Sequence, residues 1–455
     1  MDKLKEECGV IGVYVKDQNL ASKLAYYGLY ALQHRGQESA GITTNLNGKL
    51  DSIKDLGLVS EVFHEKTLDS LKGHIAIGHV RYSTSGSNEI NNCQPIVAQY
   101  KHGAIALAHN GNLTNGENIR DMLEEEGAIF HTTLDSESIL QLIARQYRKG
   151  IESALKNTIG LIKGGYALVI TTQNQLIGVR DPNGIRPLCI GQREDGSYIL
   201  ASESCALDVI DATFLRDVMP GEVVIIDEQG LKSIPATHWG QKKLCIFEMI
   251  YLARTDSVID DVSVFEFRRK SGELLANEFK GEADIVVPVP DSGIPGAIGF
   301  SSASGIPFSE GLVKNRYVGR TFIQPTQELR EIAVKLKLTP LRQTLAGKRV
   351  ILIDDSIVRG TTSKRIVEEV KKAGATEVHL CITSPPIKHC CYYGIDTPDV
   401  AHLIGANKTV DEICQYIGAN SLTYFSEAGL KAVCNNQSRF CRACFNGQYP
   451  IEVPL

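Results

Sequence analysis

Residues 350–363 read VILIDDSIVRGTTS, and their order alone suggests a chemistry. Val350, Ile351, Leu352 and Ile353 form an apolar run of the kind that makes a buried strand, and Asp354 and Asp355 stand at its carboxyl end. Gly360 then permits a tight turn into a helical pattern. A strand end followed by a helix N-terminus turns free amides and the positive end of the helix dipole toward an anion, which is where α/β sheets bind phosphates. The hydroxyls of Thr361, Thr362 and Ser363 add donors, and Gly360 lets the backbone come close. Adjacent acids point in different directions, so Asp354 and Asp355 can hold sugar hydroxyls or a hydrated Mg²⁺. An ordinary strand–turn–helix with solvated acids would explain one Asp-Asp pair but not the complete string.

A second constellation lies near the other end. Cys8 follows the short charged leader MDKLKEE. Cleavage after Glu7 would give Cys8 a free α-amine with a pKa of roughly 7.7–8.0, close to a thiol at about 8.5, so the amine can take the thiol's proton without a separate histidine. Four polar clusters could serve such a nucleophile: QHRGQ at 33–37, GHVRYST at 78–84, HNGN at 109–112 and TTLDSE at 132–137. Singly, each reads as a turn. A zwitterionic amino-acid amide such as glutamine needs a cation, an anion and oxyanion donors. Arg81 offers a bidentate fork for an α-carboxylate, and Asp135 accepts from an α-ammonium. The Asn110 amide and the Gly111 backbone N–H can stabilise a tetrahedral oxyanion.

The elements that must carry these residues change in kind along the chain. Short apolar runs at 75–80, 104–108, 167–171, 175–179 and 223–227 are broken by Gly, Asn and Asp, which predicts packed antiparallel strands. Helical patterns interrupt them at 22–32 and 136–147, the latter with Asp135 where an N-cap belongs. Beyond about residues 237–243, strand-like 285–289, 350–353 and 377–382 alternate with helical stretches such as 363–372, the grammar of a parallel sheet with helices on its faces. A chain of 455 residues exceeds a single core. Its net charge of −5 leaves no basic footprint for nucleic acid. No apolar run approaches the ~18 residues of a membrane span, and the leader lacks a signal peptide's apolar core, so a cytoplasmic protein without membrane or nucleic-acid partners is expected. Twelve cysteines in that compartment point to metal, catalysis or core packing rather than disulfides. Cys189, Cys205, Cys381 and Cys414 sit in apolar surroundings and read as core.

The 350–363 string resembles the phosphoribosyl diphosphate (PRPP) motif of type I phosphoribosyltransferases. The stretch from Cys8 to about Glu222 resembles the class II glutamine amidotransferase domain of the N-terminal nucleophile fold. Together, with CIFEMIYLAR at 245–254 and the basic run 314–324, they resemble the amidophosphoribosyltransferase family over nearly all of the chain. The resemblance implies an αββα glutaminase sandwich at 8–240 and a parallel-sheet α/β phosphoribosyltransferase domain at 241–455, after a propeptide at 1–7. It implies that glutamine and PRPP yield 5-phosphoribosylamine, glutamate and diphosphate, the committed step of purine synthesis, with ammonia crossing from Cys8 to the sugar through an internal channel. PRPP would be bound by Asp354, Asp355, Ser356, Arg359, Gly360, Thr361, Thr362 and Ser363, with Lys314 and Arg316 in a lid. Ser292, Asp354 and Asp355 would hold Mg²⁺, within a cradle at 289–293. Tyr251 matches a residue that couples the two sites.

Some family members carry a 4Fe–4S cluster, and Cys245, Cys391, Cys441 and Cys444 match its ligands. On its own the Cys441–Cys444 C-x-x-C pair fits a Zn²⁺ or redox site equally well. Cys390 stands where the family usually has Pro, leaving Cys390 as a rival to Cys391, and Thr255 also replaces a common Pro. The family further implies purine-nucleotide inhibition and a homotetramer. Two other functions fit parts of the sequence. A class II amidotransferase with another acceptor would need sugar-isomerase domains, and a regulatory PRPP-binding protein would need a DNA-binding module.

Overall fold

The computed structural model describes residues 8–82, 89–235, 240–315, 338–435 and 438–453. The strand Gly9–Tyr14 explains the first half. Its side chains alternate between two buried faces. Ile11 and Val13 join the core beneath the helix Ala21–Ala31, whereas Val10 faces a second sheet. Gly12 also lies on that second face, where a Cβ would come within 2.6 Å of Val169 and 2.8 Å of Leu176. A strand pressed on both sides reads as continuously apolar rather than alternating.

Around it forms a seven-stranded sheet in the order Ala212–Asp217, Cys189–Arg193, Tyr198–Ala201, Gly9–Tyr14, Ile75–Arg81, Ser39–Leu46, Lys49–Leu56. The facing six-stranded sheet runs Gly230–Ile234, Val223–Asp227, Leu176–Arg180, Gly164–Thr171, Gly103–Leu113, Ile96–Tyr100. Neighbours in both are antiparallel. Val10, Ile77, Ala106, Val169 and Leu200 fill the space between the sheets. Helices Gly116–Glu125, Asp135–Gln146 and Ile151–Leu161 cover the outer face of the second sheet. The result is a four-layer αββα sandwich. One detail differs from the sequence expectation. Leu134, extended at φ −86° and ψ 142°, occupies the N-cap, and Asp135 is the first helical residue. The Asp135 carboxylate accepts the Leu113 N–H at 2.8 Å instead of capping its own helix.

The second half is built on four parallel strands in the order Ile285–Pro288, Arg349–Asp354, Glu377–Ile382, Ser421–Tyr424. Ile285–Pro288 and Arg349–Asp354 are almost wholly apolar at their centres because helices cover both faces, whereas the edge strand Ser421–Tyr424 is half-buried and mixed. Helices Val264–Glu278 and Gly293–Ser304 pack tightly on one face, where a Cβ on Gly272 would come within 1.9 Å of the Gly296 carbonyl oxygen. Helix Thr361–Lys372 lies on the other face, starting two residues earlier than its sequence pattern suggests. Among the described residues no helix is long and apolar enough to cross a membrane.

Buried charge joins the halves. Arg180, wholly buried, directs Nη1 and Nη2 at the two carboxylate oxygens of Asp260, each at 2.9 Å. Its remaining donors go to the carbonyls of Val218, Gly184 and Arg186, so the guanidinium is fully satisfied. Removing one partner of such a pair leaves an uncompensated buried charge, at a cost of about 3–5 kcal/mol. Asp260 has φ 51°, a left-handed conformation that Asn also tolerates. Asp260→Asn should therefore lower stability by roughly that amount, read as a fall in the urea midpoint of the full chain. Breaking the exposed Lys23–Asp69 pair should leave the midpoint in place.

Candidate active sites

Cys8 immediately precedes the Gly9–Tyr14 strand, and that strand pairs with Ile75–Arg81 so that Gly9 faces Val80. The Cys8 thiol is buried and donates to the Tyr82 carbonyl oxygen at 3.5 Å. Arg35, 1% exposed, donates from Nε to the Cys8 carbonyl oxygen at 3.1 Å. The rest of its guanidinium meets Glu203 at 2.6 Å and both oxygens of Glu248 at 2.9 and 2.8 Å. Burial by itself raises both carboxyls. His34 and Arg35 outweigh it at Glu203, and Arg35 and Arg186 outweigh it at Glu248, so both sit below the usual carboxylate range.

The facing sheet supplies the other groups. His79 Nε2 donates across the gap to the His109 carbonyl oxygen at 3.0 Å, tying the Ile75–Arg81 strand to Gly103–Leu113. Burial pushes His79 down to about 3, so the ring is neutral and a single Nε2–H makes this bond. Asn110 is fully buried, and neither atom of its side-chain amide has a hydrogen-bond partner among the described residues. Gly111, at φ 137°, crosses so close to its neighbouring strand that a Cβ would lie 2.0 Å from the Gly165 carbonyl oxygen. Arg81 ends its strand at 2% exposure. His109 Nδ1 lies 3.0 Å from the Ser136 hydroxyl and 3.4 Å from Asp135. Burial raises the Asp135 carboxyl, but His109 and the N–H donors of Leu113 and Ser136 bring it below its ordinary value.

In the second half, Asp354 and Asp355 are buried at the carboxyl edge of the parallel sheet. Asp354 accepts the Asp355 N–H at 2.9 Å, and Asp355 accepts hydroxyls from Ser356 at 2.6 Å and from Ser292. Ser292 is the N-cap of helix Gly293–Ser304 and Gly360, at φ 83°, that of Thr361–Lys372, so two helix N-termini open beside the same acids. A Cβ on Gly293 would meet the Ile353 carbonyl oxygen at 2.4 Å, and this closeness keeps the 289–293 loop against the strand end. Arg359 and Thr361 are exposed, Thr362 is half-buried and Ser363 is buried. The Lys314 amine pairs with Asp291 in that loop. Arg316 and the rest of the basic stretch lie outside the described residues, as do residues 1–7.

Tyr251, half-buried, belongs to the five-residue π-helical turn Glu248–Leu252, the same turn whose Glu248 takes Arg35. Buried Arg268 holds that turn through the carbonyls of Met249 and Ala253, each at 2.8 Å. The four cysteines Cys245, Cys391, Cys441 and Cys444 line one cavity with Phe247 and Tyr393. Parallel pairing of Leu244–Cys245 with Phe440–Cys441 brings two of them side by side. Cys390 turns away, its thiol on the Pro398 carbonyl oxygen at 3.3 Å, so Cys391 is the member of that pair that faces the cavity. Among the described residues, no three His, Cys, Asp or Glu side chains converge tightly enough to hold a single metal ion.

Several of these groups have no role in the sequence reading. Arg35 and His79 stand inside the quoted polar clusters, and Glu248 stands inside 245–254, but nothing in one sequence pairs them. Glu203 and Arg186 carry no local signal at all.

A glutamine amidotransferase domain model matches residues 79–209, and a phosphoribosyl transferase domain model matches 259–402. The amidophosphoribosyltransferase of Synechocystis sp. is 54% identical over 461 aligned residues, covering 100% of this chain and 92% of that protein. Among solved structures, glutamine PRPP amidotransferase from B. subtilis complexed with ADP and GMP is 47% identical, with a TM-score of 0.92 and coverage of 98% of each chain. A structure described as the allosteric regulatory enzyme of purine biosynthesis is also 47% identical, with a TM-score of 0.93, covering 98% of this chain and 97% of that one. With a relative 54% identical over the whole of this chain and both domain models matched in order, the chain belongs to the amidophosphoribosyltransferase family.

Proposed function

We propose that the enzyme's glutamine-dependent conversion of PRPP to 5-phosphoribosylamine, the first step of purine biosynthesis, is divided between Cys8 in its domain at 8–240 and Asp354 and Asp355 in its domain at 241–455. Asn110 carries this reading. A buried amide without partners costs about 1–3 kcal/mol, and an oxyanion formed beside Gly111 would satisfy it. The Cys8 α-amine, exposed by removal of residues 1–7, takes the thiol proton, and sulfur attacks the glutamine amide carbon. Asn110 and the Gly111 N–H hold the resulting oxyanion, while Arg81 and Asp135 fix the α-carboxylate and α-ammonium. The C–N bond breaks as nitrogen gains the proton, releasing ammonia and leaving a thioester that water hydrolyses to glutamate.

Ammonia then attacks C1 of the ribose, and diphosphate leaves with the bonding pair. Keeping ammonia out of bulk water matters because protonation would remove its lone pair. Asp354, Asp355 and the 360–363 turn hold the ribose and 5-phosphate, with Ser356 and Arg359 beside them. Lys314 and Arg316 are assigned to binding the diphosphate, and Tyr251 to coupling the sites. The family uses Mg²⁺ with PRPP, and the buried carboxylates with Ser292 form an all-oxygen donor set suited to it. When bound, the ion offsets charge on the departing diphosphate.

We also assign a 4Fe–4S cluster to Cys245, Cys391, Cys441 and Cys444. Four thiols lining one cavity that has no histidine among its lining residues support this reading. Burial pushes the Cys441 thiol up to about 12 and raises Cys444 as well, so thiolates there require a cationic partner. Its role would be structural, fastening the tail to the core. Purine nucleotides as inhibitors and a homotetramer complete the reading, the former supported by the ADP and GMP bound to the B. subtilis relative.

Cys8→Ala should lower glutamine-dependent synthesis ~10⁴-fold or more yet preserve synthesis from ammonia. Asp355→Asn should lower both on the order of 10²-fold. Loss of the ammonia reaction in Cys8→Ala would contradict separate sites. Intact-mass analysis of active enzyme should find chains beginning at Cys8, and full activity with residues 1–7 retained would sink the amine mechanism. Anaerobically purified protein should contain iron and acid-labile sulfide in equal amounts. Both should fall in Cys444→Ser and persist in Cys390→Ser; zinc alone would overturn the cluster.

A further inference from the structure

The turn 391–394 of the second half reaches across and lies on the oxyanion strand of the first. Gly394 is buried, with φ 118°, and a Cβ there would come within 3.0 Å of the Gly111 Cα and 3.1 Å of its carbonyl carbon. Asn112 donates from Nδ2 to the Tyr392 carbonyl oxygen at 3.1 Å. Arg186 donates from Nε to the Tyr393 carbonyl oxygen at 2.8 Å. A Cβ on Gly165, the partner of Asn112 in the next strand, would stand 3.0 Å from the Tyr393 Cβ. Three successive residues of one turn therefore touch the Gly111–Asn112 segment or its immediate neighbours.

The turn is itself anchored from behind. The Cys391 N–H donates to the Thr397 hydroxyl at 2.9 Å, and the Tyr393 hydroxyl donates to the Ile451 carbonyl oxygen at 2.7 Å. The Tyr449 hydroxyl donates to the Cys390 carbonyl oxygen at 2.6 Å. Gly111 also closely approaches the Gly165 carbonyl oxygen of the neighbouring strand, so it meets two backbones.

From this packing we infer that Gly394 and the 391–394 turn are positioning elements for the glutaminase oxyanion hole, set from the transferase half of the chain. The inference rests on reading Asn110 and Gly111 as the oxyanion donors. The effect runs through geometry. Donors must sit within hydrogen-bond reach of an oxyanion that forms only in the transition state, and an error of an ångström costs on the order of 10²-fold. A side chain at 394 would push on Gly111, whereas Cys8 immediately precedes a strand of the facing sheet.

Gly394→Ala tests this. Glutamine-dependent kcat should fall by roughly 10- to 100-fold, with KM for glutamine, the ammonia-dependent rate and the rate of Cys8 alkylation by iodoacetamide, followed by peptide mapping, unchanged within about two-fold. Alkylation uses the thiolate without an oxyanion, so it separates a misplaced donor from a general loss of the site. Unchanged glutamine kcat in the folded variant overturns the inference, as does a parallel fall in the ammonia reaction or in alkylation. If Gly394→Ala does not fold, Asn112→Ala decides the matter. It removes one tie without adding atoms, and should lower glutamine kcat several-fold while sparing the ammonia reaction; no change overturns the inference. Asn110→Ala separates the two levels. A fall of about 10²–10³ in kcat beside an unaffected Gly394→Ala leaves the oxyanion hole standing and removes the brace. An unaffected Asn110→Ala removes the oxyanion reading and the brace with it.

Discussion

The guanidinium of Arg35 is the contact on which the two halves of this molecule depend. It donates to the backbone carbonyl of Cys8 and to carboxylates on either side of the domain junction, Glu203 and Glu248. Burying such ions costs several kcal/mol each unless geometry and hydrogen bonds return it. Here the return is nearly complete. Glu203 also accepts from the Ser257 hydroxyl and the Arg254 N–H, and Glu248 lies 3.6 Å from the Arg186 guanidinium. A network satisfied in this way has one arrangement, so the nucleophile's backbone cannot shift without disturbing the turn that carries Tyr251.

That rigidity bears on a chemical constraint. Ammonia is a nucleophile only while unprotonated, so its source and its acceptor must act as one enclosed device. The glutaminase sandwich and the parallel sheet each have their own core, and each could fold around its own chemistry. What unites them is polar and specific: Arg180 on Asp260, Arg35 on Glu248, and Arg186 on the Tyr393 carbonyl. An apolar junction of the same area would hold the halves together but would not fix one orientation as narrowly. Directional hydrogen bonds tie particular atoms in one half to particular atoms in the other.

The fold was legible where periodicity and burial agree. Residues 350–353 and 377–382 read as strands because helices on both faces demand apolar side chains throughout, and the first half's antiparallel strands announced themselves by short apolar runs between turn residues. The αββα arrangement itself came from the family resemblance rather than from any pattern in the strands. Local chemistry misled at Asp135, whose type suits an N-cap but whose carboxylate is drawn off by the Leu113 N–H from another strand. The sites were legible as clusters, because turns concentrate polar residues at strand ends. Their wiring was not. Arg35 finds Glu248 across 213 positions, and no local rule pairs them. Resemblance favoured Cys391 over its neighbour Cys390, and the side-chain directions agree, with the Cys390 thiol on the Pro398 carbonyl oxygen and Cys391 lining the cavity.

Gly111 and Gly394 make the same point from backbone geometry. Each has a positive φ, and each alone reads as a turn residue. A Cβ on Gly394 would stand 3.0 Å from the Gly111 Cα, so two chain segments from opposite halves approach more closely there than most side chains allow. The oxyanion strand is thereby bounded on one side by its own sheet and on the other by the turn that carries Cys391. A polar network holds the Cys8 backbone while close backbone packing holds Gly111, the proposed nucleophile and one of the proposed oxyanion donors. Each constraint includes a residue of the second half, Glu248 in the network and Gly394 in the packing. On the proposed reading, the second half therefore helps to hold the glutaminase centre, which suits an enzyme that must release ammonia only where it can be used.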